Sequence, residues 1–165
     1  MKEETLDKVD LKILRTLQQN ARLSTKELAA AINLSTSPTF ERWKRLEREG
    51  YIERYVAVVN PKKVSQGFIV LCNIKLKQHT NEYITQMMES VQEMDQVTDC
   101  WNTSGEYDFV LKIYNKDMEA YQDFMLNTLG RISCIGSLNS VFVIGEIKST
   151  HRIPLVVTAN ATDTI

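Results

Sequence analysis

The sequence lacks any apolar run of the roughly 18 to 20 residues that a helix needs to cross a bilayer. Its first four residues, Met-Lys-Glu-Glu, are mostly charged and are not followed by the apolar core of a signal peptide. With only 6 glycines and 3 prolines, it also lacks the composition of a disordered or low-complexity chain. These absences predict a folded cytoplasmic protein without a membrane segment.

Cysteine and histidine are equally scarce. Cys72, Cys100 and Cys134 are odd in number, far apart and never in a C-x-x-C pair, so we expect three buried or half-buried free thiols. His79 is placed just past a strand and His151 in a polar tail, where solvated side chains are expected. Because no metal-ligand spacing, Ser/His/Asp order or phosphate-binding glycine loop is present, we expect no metal, no cofactor and no enzymatic activity.

The net charge of −1 lacks the basic excess that is typical of nucleic-acid-binding proteins. The charges are unevenly distributed, however. Residues 1–63 contain 13 basic and 9 acidic side chains, whereas residues 64–165 contain 7 basic and 12 acidic ones. The chain therefore has a basic N-terminal part, at +4, and an acidic C-terminal part, at −5.

The N-terminal part begins with two helical patterns. Apolar residues recur at helical spacing from Leu6, which predicts an amphipathic helix ending near Asn20. Ser24 and Glu27 then have the spacing of a capping box, in which each side chain accepts from the other residue's amide. A short second helix is predicted from this box to Asn33, a residue that tolerates the left-handed conformation found at helix ends.

A third helix is predicted only a few residues later. Ser37 is interpreted as its N-cap, Pro38 as its first residue, and Gly50 as the stop after Glu49. Two helices joined by so short a turn predict a helix-turn-helix, whose second helix enters the DNA major groove. Residues 51–59 are rich in aromatic and β-branched side chains and predict the strand of a wing.

The third helix supplies the candidates for DNA contact. At about 100° per residue, Phe40, Trp43 and Leu46 share one side, which we expect to pack on the first two helices. The candidate DNA-binding residues are Ser37, Thr39, Arg42, Lys44, Arg45 and Arg48. We expect the first two arginines of this set to contact base edges, its lysine and last arginine to contact phosphates, and its hydroxyls to add short donors. The alternative is a solvated helix face whose charges pair with the neighbouring glutamates.

The C-terminal part repeats a strand, helix, strand order. The predicted elements are a strand over 68–76, a helix over 81–94, strands over 97–103 and 108–114, a helix over 117–129 and a strand over 135–147. The order βαββαβ predicts an α+β, ferredoxin-like domain with both helices on one face of a four-stranded sheet. Because no helix remains to cover the other face, we expect a homodimer.

These patterns divide the chain into four segments. A winged helix-turn-helix domain is predicted over residues 1–60, followed by a linker over 61–67. The ferredoxin-like domain, for oligomerisation, is predicted over 68–149, and a tail over 150–165.

Several of these segments resemble the leucine-responsive and asparagine-regulator family of transcription factors, the feast/famine regulators. The resemblance rests on Leu6-Asp-Lys-Val-Asp-Leu-Lys-Ile-Leu14, Leu34-Ser35, Glu41-Arg-Trp-Lys-Arg-Leu-Glu-Arg-Glu-Gly-Tyr-Ile52 and Ser104-Gly-Glu-Tyr-Asp-Phe109, in that order. It implies a DNA-binding regulator whose ferredoxin-like domain dimerises, commonly assembles to octamers and binds an effector, usually an amino acid.

The resemblance also implies an effector site between dimers. The candidate effector-binding residues are Ser104, Gly105, Tyr107, Asp108, Leu138 and Ser140. Within the G-x-x-D turn the glycine permits close backbone approach, and the aspartate either pairs with an effector ammonium or holds the turn. The last strand departs from the family pattern. Many relatives have hydroxyl residues at the positions of both Leu138 and Ser140, and the leucine makes the pocket more apolar. Ser133-Cys134 also replaces a Pro-Gly pair, and Gly145 replaces an acidic residue.

Two alternatives to a sequence-specific regulator remain open. One is a nucleoid-like architectural protein, which binds DNA by shape and charge with little sequence preference. The other is an enzyme similar to the haem-precursor decarboxylases, which have the same two-domain architecture and use a histidine near the substrate. A basic surplus of only +4 favours the regulator, because weak individual domains need specific contacts or multivalency.

Overall fold

The computed structural model describes residues 6–155, which fold into two compact units. The first unit contains residues 6–57 together with residues 148–155, and the second extends from Val58 to Ile147. No helix within the described range is both long and apolar enough to span a membrane. The remaining parts of the predicted N-terminal domain and tail, residues 1–5 and 156–165, lie outside the described residues.

Helices α1 (Lys8–Gln19) and α2 (Thr25–Ile32) both begin at capping boxes. In α2 this is the predicted box, since the Glu27 amide donates to Ser24 Oγ over 3.3 Å and the Ser24 amide donates to Glu27 Oε2 over 2.7 Å. Asn33 then ends the helix in the left-handed conformation, at φ 58°. At α1 the box consists of Asp7 and Asp10, so this helix begins two residues later than predicted.

Helix α3 spans Thr36–Arg48 and completes the predicted helix-turn-helix. Its N-cap is Ser35 rather than Ser37, which corrects the prediction. Pro38 therefore occupies the third helical position, where an N–H would still have no acceptor within the helix. Phe40 also departs from the prediction, because it is exposed instead of packing with Trp43 and Leu46.

The predicted wing strand over residues 51–59 is not formed. Among the described residues, no backbone hydrogen bond reaches residues 53–59, so the segment has β-forming composition without the partner that a strand requires. It is fixed to the helix-turn-helix by a side chain instead. Trp43 Nε1 donates to the Tyr55 hydroxyl over 2.6 Å, and this hydroxyl donates to Glu47 Oε1 over 2.9 Å.

The end of the described chain packs on α1 within the first unit. The Gln18 amide group donates to the Ile153 carbonyl over 3.3 Å and accepts from the Ile153 amide over 2.7 Å. Arg15 Nη2 donates to the Leu155 carbonyl over 2.8 Å, and the Leu155 side chain joins the hydrophobic core of this unit. Residues 153–155, predicted as part of a tail, thus belong to the helix-turn-helix unit.

The second unit has the predicted βαββαβ order. Its strands are β1 (Phe68–Leu76), β2 (Val97–Asn102), β3 (Phe109–Asn115) and β4 (Ile135–Phe142), and its helices are α4 (Asn81–Gln92) and α5 (Met118–Asn127). The strands are all antiparallel in the order β2-β3-β1-β4, which is the ferredoxin-like arrangement. β4 ends five residues earlier than predicted, since its last ladder pair is Phe142 with Val70 and only the Val143 amide, which donates to the Ile69 carbonyl, continues the pairing.

Alternation along the central strands separates the two faces of the sheet. Alternate residues of β1 and β3 are buried against α4 and α5, forming a core with Met87, Val91, Tyr121 and Phe124. No described helix covers the opposite face, which includes Leu71, Trp101, Val110, Tyr114 and Val141. Of the three cysteines, Cys72 and Cys134 are buried, whereas Cys100 on edge strand β2 is exposed rather than half-buried.

Candidate DNA-binding interface and ligand-binding site

A buried carboxylate joins α3 to α1. Asp10 is 1% exposed, and its carboxylate accepts from Arg42 Nη1 over 2.8 Å and from Arg45 Nη2 over 2.5 Å. Arg42 Nη1 also donates to Asp7 Oδ2 over 2.6 Å. A buried charge is stable only when it is paired and hydrogen-bonded, so the two guanidinium groups are required by Asp10.

This arrangement engages both arginines in contacts within the first unit. Arg42 and Arg45 were expected at base edges, and reaching a base would separate them from a carboxylate that water cannot solvate. The hydrogen bonds that Arg42 donates to Asp7 and to Asp10 raise the pKa of Arg42 above its ordinary value. Burial alone would raise the pKa of Asp7, but the Asp10 amide and Arg42 outweigh it and lower that pKa. Both shifts indicate that the ion pairs stabilise the contact between the helices.

The solvent-facing side of α3 is a stripe of five residues that we call the outward stripe. Its members are Ser37, Phe40, Glu41, Lys44 and Arg48, all of them exposed. Three of the six predicted DNA-binding residues therefore lie together on this surface. Thr39 does not, since it is fully buried and its hydroxyl donates to the Ser35 carbonyl over 2.8 Å. Its prediction as a DNA contact is wrong, because helical rotation places it on the side that faces the core.

The two cations of the outward stripe differ in their partners. Lys44 Nζ lies 2.7 Å from Glu47 Oε2, and this ion pair is the main reason why the pKa of Glu47 is lowered. Arg48 is 72% exposed, and its closest recorded partner is Glu49, at 3.8 Å. A phosphate can therefore be met by Arg48 at little cost, whereas Lys44 must exchange a carboxylate for it.

In the second unit the predicted turn is tied together by Asp108. Its Oδ2 accepts from the Leu76 amide over 2.7 Å, and its Oδ1 lies 3.0 Å from His79 Nδ1. Gly105 has φ +127°, a conformation that side-chain-bearing residues rarely adopt. Asp108 thus joins the β2–β3 turn to the end of β1, which agrees with the turn-holding alternative. Sequence reasoning missed His79, because nothing local indicates that it meets a residue 29 positions away.

The other candidate effector residues are distributed over two surfaces. Ser104 is exposed and Tyr107 half-buried in the same turn. Leu138, however, packs against the core, and Ser140 Oγ lies 2.5 Å from the Tyr121 hydroxyl on the helix-covered face. Burial raises the pKa of Tyr121 to about 12, although the hydrogen bond with Ser140 acts in the opposite direction. On the helix-covered face, β4 therefore contributes one apolar side chain, Leu138, and one polar side chain, Ser140, that already has a hydrogen-bond partner.

No three His, Cys, Asp or Glu side chains come close enough to hold a metal ion within residues 6–155. The polar groups described here are instead organised by hydrogen bonds and ion pairs between side chains and backbone.

Comparison with known proteins places both units in one family. Residues 6–53 match the winged helix-turn-helix DNA-binding model, and residues 69–153 match the model of the Lrp/AsnC ligand-binding domain. The chain is 35% identical to the DNA-binding transcriptional activator DecR of Escherichia coli, over 91% of this chain and 99% of that protein. It is 33% identical to the leucine-responsive regulatory protein of the same species, over 90% of each.

A solved structure agrees with these matches. A transcriptional regulator of Neisseria meningitidis in complex with L-Met is similar at a TM-score of 0.88 and 35% identity, covering 91% of this chain and 97% of that one. These matches extend over most of this chain and of each relative. The chain belongs to the Lrp/AsnC family of DNA-binding transcriptional regulators with a ligand-binding domain.

Proposed function

We propose that this regulator binds specific DNA sequences through the outward stripe of α3, as a homodimer whose second unit senses an amino acid or a related small metabolite. The observation that carries the proposal is that the two sides of α3 have different contacts. One side of the helix is fixed to α1 through Asp10, and the opposite side presents Ser37, Lys44 and Arg48 to solvent. A helix held in this way can enter the major groove with a defined rotation.

In this arrangement Arg48 and Lys44 contact phosphates, and Ser37 donates near the N-terminus of the helix, where backbone amides also favour an anion. Arg42 and Arg45 act as positioning residues. With so few unpaired cations on the stripe, a single unit binds weakly. Pairing two units on two half-sites raises the affinity without any new contact.

The uncovered sheet face supports the homodimer. Leu71 and Val141 are opposite each other on β1 and β4, and Trp101 and Val110 are opposite each other on β2 and β3. Together with Tyr114 they form a largely apolar surface around Lys112, whose ammonium group lies 5.2 Å from the centroid of the Tyr114 ring. Monomers rarely leave a surface of this kind in water. A twofold interface would cover this face on both copies at once. Further assembly to an octamer is part of the proposal, in line with the family resemblance.

The dimer is tested by replacing Leu71 with glutamate, since a charge at the centre of the interface must be desolvated. We expect sedimentation velocity to give monomers for Leu71→Glu at concentrations where the native chain is a dimer. Leu126→Glu is the matched control, because Leu126 is an exposed leucine on α5, on the other side of the sheet. A Leu71→Glu protein that remains dimeric would remove this face from the interface.

The ligand-binding model over residues 69–153 supports a small-molecule effector, and the relative in complex with L-Met supports an amino acid. The β2–β3 turn, with Gly105 and Asp108, is the proposed site, and Asp108 organises the turn instead of meeting the ammonium group. A thermal-shift screen against the twenty amino acids tests this, because a ligand that binds only the native state raises its stability. Failure of all twenty to shift the transition would contradict an amino-acid effector.

Sequence specificity is tested by footprinting the full chain on genomic fragments. We expect discrete, palindromic protection that mirrors the twofold symmetry of a dimer. Unbroken coverage of every fragment would instead favour an architectural protein. Arg48→Ala should lower the salt slope of binding by about one without changing the protected sequence.

A further inference from the structure

Phe40 is the apolar member of the outward stripe, and the core of the first unit does not account for it. The ring is 42% exposed, and Phe40 is not part of the hydrophobic cluster that Leu46 forms with α1 and α2. Its neighbours on the stripe are polar or charged. A large apolar side chain in the middle of a surface that faces DNA needs an apolar partner on the DNA.

The position of Phe40 on α3 limits what that partner is. It lies in the first half of the helix, one turn after Ser37, and the N-terminal residues of a recognition helix are those that contact base edges. Phosphates and sugars offer charged or hydroxyl groups on the backbone. In the major groove, the apolar group on a base edge is the 5-methyl group of thymine.

Lys44 adds a second constraint. Its ammonium group lies 5.8 Å from the centroid of the Phe40 ring, within the range of a cation–π interaction. This contact holds the ring against the helix on the side of the next turn. With 42% of the residue exposed, the ring remains accessible to a methyl group.

We propose that Phe40 is a specificity-determining residue that reads the 5-methyl group of a thymine in each half-site. This inference rests on the proposed binding of specific sequences through α3. Arginine pairs with guanine are not the basis of recognition here, because Arg42 and Arg45 are held by Asp10. Apolar contact by Phe40 supplies a preference for thymine that charge cannot supply.

The test uses the full chain and a preferred duplex selected from a random pool. Each thymine of that duplex is replaced singly by deoxyuridine, which keeps every base pair and hydrogen-bonding group but lacks the methyl group. For the native chain we expect one position in each half-site at which affinity, measured by fluorescence anisotropy, falls about fourfold, the value of burying one methyl group. Phe40→Ala should bind the thymine and deoxyuridine duplexes equally at that position.

Two further variants keep the test decisive. Phe40→Leu retains an apolar tip and should retain part of the preference, whereas Val56→Ala truncates an exposed apolar residue outside α3 and should keep all of it. Because Phe40 lies outside the core cluster, Phe40→Ala should remain folded, with a melting temperature close to the native one. Two results would overturn this inference but leave the proposed specificity standing. Phe40→Ala could lose as much affinity as the native chain when thymine is replaced by deoxyuridine, or the native chain could lose no affinity at any position. Failure to select any preferred duplex overturns the proposed specificity with it.

Discussion

The two units use polar groups in opposite ways. In the helix-turn-helix unit a small apolar core is supplemented by the buried carboxylate of Asp10 and its two arginines, whereas the sheet unit buries a larger apolar cluster. The buried carboxylate of the sheet unit, Asp108, meets a backbone amide and an exposed histidine instead of an arginine. Charge in the first unit therefore stabilises the fold, and a count of basic residues overstates what is available to DNA.

The difference between the two units is tested most directly by a substitution at Asp10. Asp10→Ala removes the carboxylate that Arg42 and Arg45 share, although Arg42 keeps Asp7. Removing one partner of a buried ion pair costs up to about 3 to 5 kcal/mol. We expect a loss of this size in urea unfolding, followed by Trp43 fluorescence in a Trp101→Phe background. Trp43 packs against the core of the first unit, so its signal reports that unit.

The control replaces the buried carboxylate and both of its arginines with apolar residues, as Asp10→Leu, Arg42→Met and Arg45→Met together, and keeps the half-exposed Asp7. Exchanging a complete buried ion network for apolar side chains is often neutral or stabilising. We therefore expect the triple variant to recover most of the stability that Asp10→Ala loses. If Asp10→Ala unfolds at the native urea concentration, the arginines are not needed for the fold.

A smaller effect is expected at Asp108, where the partner is an amide. Asp108→Ala leaves the Leu76 N–H without its acceptor, at a cost of about 1 to 3 kcal/mol. Trp101 fluorescence in a Trp43→Phe background measures this in the second unit. Asp108→Asn keeps an acceptor oxygen but not the charge, so we expect it to retain both stability and any amino-acid response. Loss of the response in the Asn variant alone would assign Asp108 to the effector ammonium.

What could be predicted from the sequence was local or periodic. Ser24 and Glu27 are three residues apart, so their capping box is visible in the sequence, and the order βαββαβ predicts the ferredoxin-like sheet. The pairing of Asp10 with Arg42 and Arg45 joins residues more than thirty positions apart, and no pattern indicates it. The predicted wing strand is absent for a related reason, since β-forming composition over 51–59 does not supply a partner strand.

The smallest expected effect concerns Asp7, the half-exposed member of the charged network. Its folded pKa lies below the ordinary value of 3.8, so its contribution to stability is present above that value and is lost as the pH falls through the folded pKa. Asp7→Asn has no titrating group there, and the urea midpoint of the Trp43 signal should fall less steeply below about pH 4. Exposure and solvent screening keep the difference small. The Trp101 signal of the second unit should be the same in both proteins, and an equally steep acid loss of the Trp43 signal in Asp7→Asn would show that the network gains nothing from this carboxylate.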